Sequence, residues 1–368
     1  MTRKRIGPII IIIAFCVIIC FPWLLWIFFE KYVDSTNHEN REMRTRPRLT
    51  LDTYGTFSKE YDAYFNDSIP FRNNLITLNS AIDYFCFNKS TNDSVIVGKD
   101  NWLFYSKVSD GDPLSCYLGT NLYSKKDLAF IAENLVNQRN FLQEQGVEFV
   151  LFIAPNKERI YYDAMPDQYG KPADMYATRQ LVEYLRNYTD LRVVYPYDEL
   201  MNARNLLYEN IYYKTDTHWN DIGGYIGSQL LLNELGIKMP SIDDLNIELT
   251  DTYAGDLANM LNLTQQLKNN DQIYTVSGYN TNNIQVVSED FFDVYSYTAE
   301  NADPRRVYIN RDSFSTAMRL VIGTQFKETY MRHFNSYSYG DYLAYKPDVY
   351  IYEVVERNID RLKNFSVQ

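Results

Sequence analysis

At 368 residues, with 46% hydrophobic and 23% charged side chains, the chain has an ordinary globular balance that excludes a mostly disordered, collagenous or coiled-coil protein. Thirty-six Lys+Arg against 47 Asp+Glu give a net charge of -11, so no overall basic field attracts a phosphate backbone and no nucleic-acid partner is expected. Four cysteines are too few for a disulfide scaffold, and three histidines (His38, His218, His333) leave little material for a metal site. The CxxC, HExxH, Walker A, GxGxxG and GxSxG patterns are all missing. Neither a metal nor a cofactor is expected.

Ile6 to Phe29 is a run of 24 residues without a charge. At about 1.5 Å per residue it is long enough to cross a hydrocarbon layer of roughly 30 Å, which predicts a transmembrane helix within a first segment 1–30. Arg3, Lys4 and Arg5 precede it, so the positive-inside rule puts the N-terminus in the cytoplasm and everything after Glu30 outside. A cleaved signal peptide is the competing reading. The apolar run exceeds a typical signal core, however, and it ends in bulky Phe21-Pro22-Trp23 and Trp26-Ile27-Phe28-Phe29 rather than a small-residue cleavage site. A lipoprotein site at Cys20 is flanked by the bulky Ile19 and Phe21. The exported part is strongly acidic, and Cys86 and Cys116 are its only cysteines, a pair that permits a disulfide without requiring one.

Residues 31–90 read as a polar juxtamembrane spacer, which includes a solvated His38, followed by a helical lead-in. Phe57 to Asn79 carries a helical period interrupted at Ile69-Pro70, which predicts two helices joined near the proline. From 91 to 368 the pattern alternates. Ser124-Lys-Lys-Asp127 is a capping-box start to a helix that stops at Gly146, and the apolar run Val147–Ala154 predicts a strand covered on both faces. A helix over Asp174–Tyr188, a strand Leu191–Tyr195, a helix Asp221–Leu235 and strands Arg306–Ile309 and Val349–Val354 complete an α/β, doubly wound, mainly parallel sheet. The looser stretch 239–304 reads as an inserted, β-containing segment.

In such a sheet reactive residues gather at the carboxyl ends of the strands. Ser313 follows the strand Arg306–Ile309 at a strand-to-helix turn, where a hydroxyl is exposed and backbone N–H groups favour developing negative charge; Asp312 or Ser313 acting as a simple helix cap explains the same feature. Asp216 and His218, two apart, share a side of an extended segment, so the carboxylate can orient an imidazole that takes a serine proton. A loop histidine satisfied by a nearby carboxylate is the bland alternative. His333 has no adjacent carboxylate and is read as structural. Aromatic residues make up 15% of the chain, 33 of them tyrosines, which suits stacking on sugar rings, although core packing accounts for most of them.

Several segments in order make the chain resemble the extracytoplasmic SGNH-like O-acetyltransferases of the DHHW and alginate O-acetylation type. They are Phe57-Ser-Lys-Glu-Tyr61 with Ile69-Pro-Phe-Arg72, Val97-Gly-Lys-Asp-Asn-Trp-Leu-Phe104, Pro155-Asn-Lys157, Asp216-Thr-His-Trp219, Gly255-Asp-Leu257, Arg311-Asp-Ser-Phe314, Lys346-Pro-Asp-Val349 and Val355-Glu-Arg-Asn358. The resemblance implies an Asp-His-Ser triad at Asp216, His218 and Ser313 that moves acetyl groups onto hydroxyls of a cell-surface or secreted polysaccharide. It also implies a membrane-bound O-acyltransferase as the acetyl donor system. Two positions depart from the common patterns: Thr217 stands second in the DHHW-type signature, and Arg311 stands where many SGNH enzymes carry glycine. The oxyanion hole is therefore open, with Asn156 and the Ser313 amide as candidate donors and with Arg311 and Trp219 as further substrate-binding candidates. An acetyl esterase with the same triad, or a non-catalytic glycan-binding subunit of an export complex, are the alternative readings.

Overall fold

A computed structural model describes residues 6–34, 42–279 and 283–368; Arg3, Lys4, Arg5 and His38, invoked above, lie outside the described residues. The chain divides into two compact units, the first comprising 1–92 with 259–266 and the second 93–258 with 267–368.

In the first unit, helix α1 (Ile6–Phe29) is apolar throughout and contains Pro22. It is long and apolar enough to cross a membrane, and none of its most apolar stretch is buried against protein. Helices α2 (Phe57–Asp67) and α3 (Arg72–Phe87) follow, separated where the periodicity breaks. Pro70 cannot donate to a helical ladder, and Phe71 turns the chain through a left-handed conformation with φ of 59° before α3 starts. Asn73 Nδ2 donates to the Asp34 carbonyl at 3.0 Å, Asn74 Oδ1 accepts from the Asp34 amide at 3.0 Å, and Asn74 Nδ2 donates to the Tyr32 carbonyl at 3.2 Å.

The second unit begins with a hairpin of β1 (Val95–Val97) and β2 (Leu103–Tyr105). Its seven-stranded sheet is built from β3 (Glu148–Ala154), β4 (Val193–Val194), and, beyond a separate antiparallel pair of β5 (Asn246–Tyr253) and β6 (Asp271–Ser277), the strands β7 (Ile284–Glu289), β8 (Val294–Ala299), β9 (Asp303–Arg311), β10 (Phe326–His333) and β11 (Val349–Val355). The order is β4-β3-β11-β9-β10-β8-β7. The first five strands run parallel, and β8 and β7 are added antiparallel. Strand β3 shows why its sequence is a nearly unbroken apolar run. Val150, Phe152 and Ala154 enter a core on one face, with Trp219, Ile222 and Phe314, while Phe149, Leu151 and Ile153 enter a second core on the other, with Ile131, Leu135 and Tyr350. The helix Lys125–Glu144 that covers this second core starts with the predicted capping box, Ser124 and Asp127 each bonding the other's amide, and Gly146 follows its end at φ of 76°.

Three elements differ from expectation. The stretch 239–304 is divided: β5 and β6 pair with each other, whereas β7 and β8 extend the main sheet. Strand β10 was not foreseen, because Lys327, Glu328 and Arg332 break up the apolar signal of a strand that buries mainly Phe326, Thr329, Met331 and His333. The Leu191–Tyr195 strand contracts to Val193–Val194, which is all that pairs with β3. Because Leu151 is fully buried at the middle of β3, Leu151→Ala should cost about 2–5 kcal/mol of stability, seen as a lowered denaturant midpoint of the second unit.

Candidate active site

The parallel pairing of β3, β11 and β9 brings their carboxyl ends to one edge. Ser313 opens a short 3-10 turn just beyond β9. The cap of this turn is Asp312: its Oδ1 accepts the Phe314 amide at 2.8 Å, and its Oδ2 accepts the Val355 amide at 2.7 Å at the end of β11. Capping by Asp312 leaves the Ser313 hydroxyl to another partner. Beneath the turn, buried Glu353 accepts from the Asp312 amide and the Ser315 hydroxyl, both at 2.8 Å. Burial, reinforced by the neighbouring Asp312 carboxylate, pushes the Glu353 carboxyl well above the usual carboxylate range.

Asp216 and His218 lie on a loop closed by an antiparallel bridge between Tyr212 and Trp219. The buried Lys157 holds this loop from within, donating to the carbonyls of Tyr213 and Lys214 at 3.1 and 3.2 Å and to that of Asp216. Asp271 accepts the Thr215 amide at 2.9 Å from the other side. Gly255 passes so close that a Cβ there would fall 2.3 Å from Cβ of Asp216, so this position requires glycine. After the loop, Asn220 caps the helix Asp221–Glu234 through the amides of Ile222 and Gly223. Trp219 Nε1 donates to the Phe314 carbonyl at 2.9 Å, and the two rings meet edge-on at 5.4 Å. That bond joins the residue after His218 to the residue after Ser313.

The result is a continuous relay. His218 Nε2 lies 2.7 Å from Ser313 Oγ, and His218 Nδ1 lies 2.6 Å from Asp216 Oδ1. Asp216 is buried and fully partnered: Oδ1 also accepts the His218 amide at 2.9 Å, and Oδ2 accepts the Tyr253 hydroxyl at 2.7 Å and the Asp256 amide at 3.0 Å. Burial opposes the Asp216 charge, but His218 and these donors outweigh it and hold the carboxyl well below the usual range. For His218, burial disfavours the charged ring, and the attraction of Asp216, helped by Asp256, reverses this and raises its pKa above that of an ordinary imidazole. Asp216, His218 and Asp256 offer donor atoms within 4.8 Å of one another, a set that could hold a metal only by giving up existing bonds. Asp256 is itself committed to the Thr217 amide and hydroxyl at 2.8 and 2.6 Å.

Asp216, His218 and Ser313 face a cavity of about 700 Å³ whose walls include Tyr213, Phe291, Phe292, Phe334, Arg319 and Arg357. Of the other residues singled out in the sequence, Trp219 is almost fully buried and contributes to the cavity wall. Asn156 and Arg311 are not among the residues that wall the cavity. Asn156 is buried at the end of β3, where its amide donates to Glu356 at 2.9 Å and its Oδ1 accepts the Arg357 amide at 3.2 Å. Arg311, fully buried, donates to the carbonyls of Asp312 and Phe291 at 3.2 and 2.8 Å and lies 4.2 Å over the Tyr295 ring. These bonds brace the loop that carries Phe291 and Phe292. Cys116 is buried with its thiol directed to Glu356 Oε1 at 3.3 Å, and both it and Cys86 are free. Tyr253, Asp256 and Arg357 also line the cavity, and the first two bond Asp216. The Gly255-Asp-Leu257 and Val355-Glu-Arg-Asn358 segments were the available signal for the last two, whereas Tyr253 lies in a strand with no motif of its own.

Residues 95–296 match the family model described as "SGNH hydrolase-like domain, acetyltransferase AlgX", a span that contains Asp216 and His218 and stops short of Ser313. Among curated proteins the chain is similar to "Probable alginate O-acetylase AlgJ" of Pseudomonas syringae pv. tomato, 24% identical over 221 residues, covering 58% of this chain and 53% of the relative. It is similar also to the protein of the same name from Pseudomonas putida, 25% identical over 244 residues, covering 64% and 58%. The chain thus spans little more than half the length of the curated relatives it matches. Among solved structures, Bacillus cereus PatB1 superposes with a TM-score of 0.51 at 16% identity, covering 73% of this chain and 97% of its own. A DHHW family protein from Eubacterium siraeum superposes with a TM-score of 0.51 at 17% identity, covering 74% and 99%. These likenesses establish a common fold. Because the family model matches more than half of this chain, the chain belongs to the AlgX acetyltransferase family of SGNH hydrolase-like domains.

Proposed function

We propose that this chain is a serine-dependent O-acetyltransferase that places acetyl groups on hydroxyls of a cell-surface or secreted polysaccharide. The observation that carries the reading is the 2.7 Å contact between His218 Nε2 and Ser313 Oγ at the wall of a cavity large enough for a sugar unit. Ser313 Oγ attacks the acyl carbonyl of the donor while its proton passes to His218 Nε2, and Asp216 holds Nδ1–H and stabilises the imidazolium. The tetrahedral intermediate collapses, the leaving group takes the proton from Nε2, and an acyl-serine remains. An acceptor hydroxyl then gives its proton to the same nitrogen as it attacks the ester; as the second intermediate collapses, Ser313 Oγ leaves with that proton from Nε2, which releases the acetylated sugar and restores both serine and neutral imidazole. The Ser313 amide, first in its turn and outside the helical bonding ladder, is the proposed donor to the oxyanion.

Aromatic walls beside the relay suit the faces of sugar rings. The family and the AlgJ relatives named for alginate support a polysaccharide acceptor. Helix α1 supplies the anchor in this reading, with the N-terminus cytoplasmic and the relay on the outer side. Acetyl-CoA does not cross a bilayer unaided, so an outward relay requires acetyl delivered through the membrane, and a membrane-bound O-acyltransferase met laterally through α1 fills that role.

Purified full-length chain in detergent, given an activated acetyl ester with and without oligosaccharides, should yield acetylated sugar. Release of acetate alone under every acceptor tried would replace transfer by hydrolysis. Ser313→Ala should lower turnover on the order of 10⁶-fold while leaving the thermal transition unchanged; unaltered turnover removes the reading. The relay works only with His218 neutral, so activity should rise with pH through a midpoint above the ordinary imidazole value of about 6.5. Asp256→Asn removes one carboxylate that favours the charged ring, and the acid limb should move to lower pH. In Asp216→Asn burial is left without its main counterweight, so the His218 ring, followed by NMR titration, should protonate only below the ordinary imidazole range.

A further inference from the structure

The first unit contains a helix whose apolar side faces outward. On α3 the buried positions are Ser80, whose hydroxyl lies 2.9 Å from that of Thr91, and Tyr84. The opposite side carries Leu75, Leu78, Ile82 and Phe85, which are 49%, 55%, 46% and 59% exposed. Their spacing of three, four and three residues sets them in one stripe along the helix. No charged residue interrupts it: α3 has only Arg72 at its start and Asp83, and Asn79 and Cys86 are the other exposed neighbours of the stripe. On a chain with a net charge of -11, an uncharged apolar stripe of this length marks a surface that something covers.

The same unit indicates what covers it. Asn73 and Asn74, in the first turn of α3, are hydrogen-bonded to Tyr32 and Asp34, directly beyond the end of α1. Phe65 of α2 stacks on Trp23, inside α1, with ring centroids 6.2 Å apart. The start of α3 is therefore fastened where the apolar helix ends, and an aromatic ring of α2 lies beside the helix itself. Trp and Tyr in such positions belong to the membrane–water boundary. A helix that starts at that boundary with an uncharged apolar stripe has the form of an interfacial helix.

We propose that α3 is a second membrane contact, lying in the headgroup region of the bilayer with Leu75, Leu78, Ile82 and Phe85 directed into the lipid. The proposal rests on α1 being a membrane anchor. It adds that the polypeptide just outside the membrane is held down at two places instead of swinging on a single tether.

The full chain is reconstituted in phosphatidylcholine–phosphatidylglycerol nanodiscs, with Cys16, Cys20 and Cys86 replaced by serine and the buried Cys116 retained. Single bimane labels are placed at Leu78→Cys and Ile82→Cys on α3, with Leu75→Cys and Phe85→Cys on the same stripe in reserve should either fail to fold, and at Ile18→Cys within α1. Lipids brominated near the headgroup should quench the α3 labels about twofold, and aqueous iodide should not reach them. Quenching at Ile18→Cys by deeply brominated lipid, with the α3 labels open to iodide, would overturn the proposal and leave the anchor standing. Failure of lipid quenching at Ile18→Cys as well would remove the anchor itself. Protection of the α3 labels from both quenchers, with cross-linking between chains through Leu78→Cys, would assign the stripe to a second copy and overturn the lipid contact.

Discussion

A carboxylate taken out of water must find partners for its charge, and Asp216 is 4% exposed. Its oxygens are met by the His218 ring and amide, the Tyr253 hydroxyl and the Asp256 amide, and these four donors come from the loop itself, from β5 and from the turn after β5. The need to satisfy one buried charge therefore fixes the imidazole and recruits β5, a strand outside the main sheet, into the site. Gly255 allows the turn to approach, because any side chain there would occupy the space of Asp216. Lys157, itself buried, is accommodated by three loop carbonyls and gives the loop a rigid floor.

The serine side is built by a different device. Two carboxyl groups, Asp312 and Glu353, lie together beneath the turn, and burial drives Glu353 toward its neutral form so that both can remain. Asp312 caps the turn and ties it to β11 through the Val355 amide, and Glu353 ties it again through Ser315. The hydroxyl of Ser313 is thus held by backbone geometry at the carboxyl edge of a parallel sheet, and Trp219 links it to the imidazole through Phe314. Both residues that depart from the common family patterns have work within this frame. Thr217 bonds Asp256 and keeps that second carboxylate beside the imidazole, and Arg311 holds the loop of Phe291 and Phe292 against the cavity.

Asn156 and Arg311 stand where strands end, the place where chemistry gathers, and side-chain type alone cannot tell a group that faces the cavity from one that turns back to satisfy a neighbouring carbonyl or amide. Asn156 positions the Arg357 amide, and Arg357 itself reaches the cavity wall. Strand β10 shows no clear apolar alternation in sequence, because exposed Lys327 and half-buried Glu328 and Arg332 stand among its buried residues.

Local physics was legible in the chain. An uncharged run of 24 residues can form only a long apolar helix, Ser124 and Asp127 can close a capping box from their spacing, and Val147–Ala154 is too apolar to stand anywhere but between two cores. Asp216 and His218 were legible for the same reason, since two residues of separation suffice to bring a carboxylate to an imidazole. Only tertiary structure decided that Ser313, 95 residues further on, meets that imidazole, that Tyr253 and Asp256 complete its surroundings, and that the apolar side of α3 faces outward. Those outcomes depend on which strand ends share an edge and which buried charges find donors, and such pairings between distant segments leave no periodic trace in a sequence.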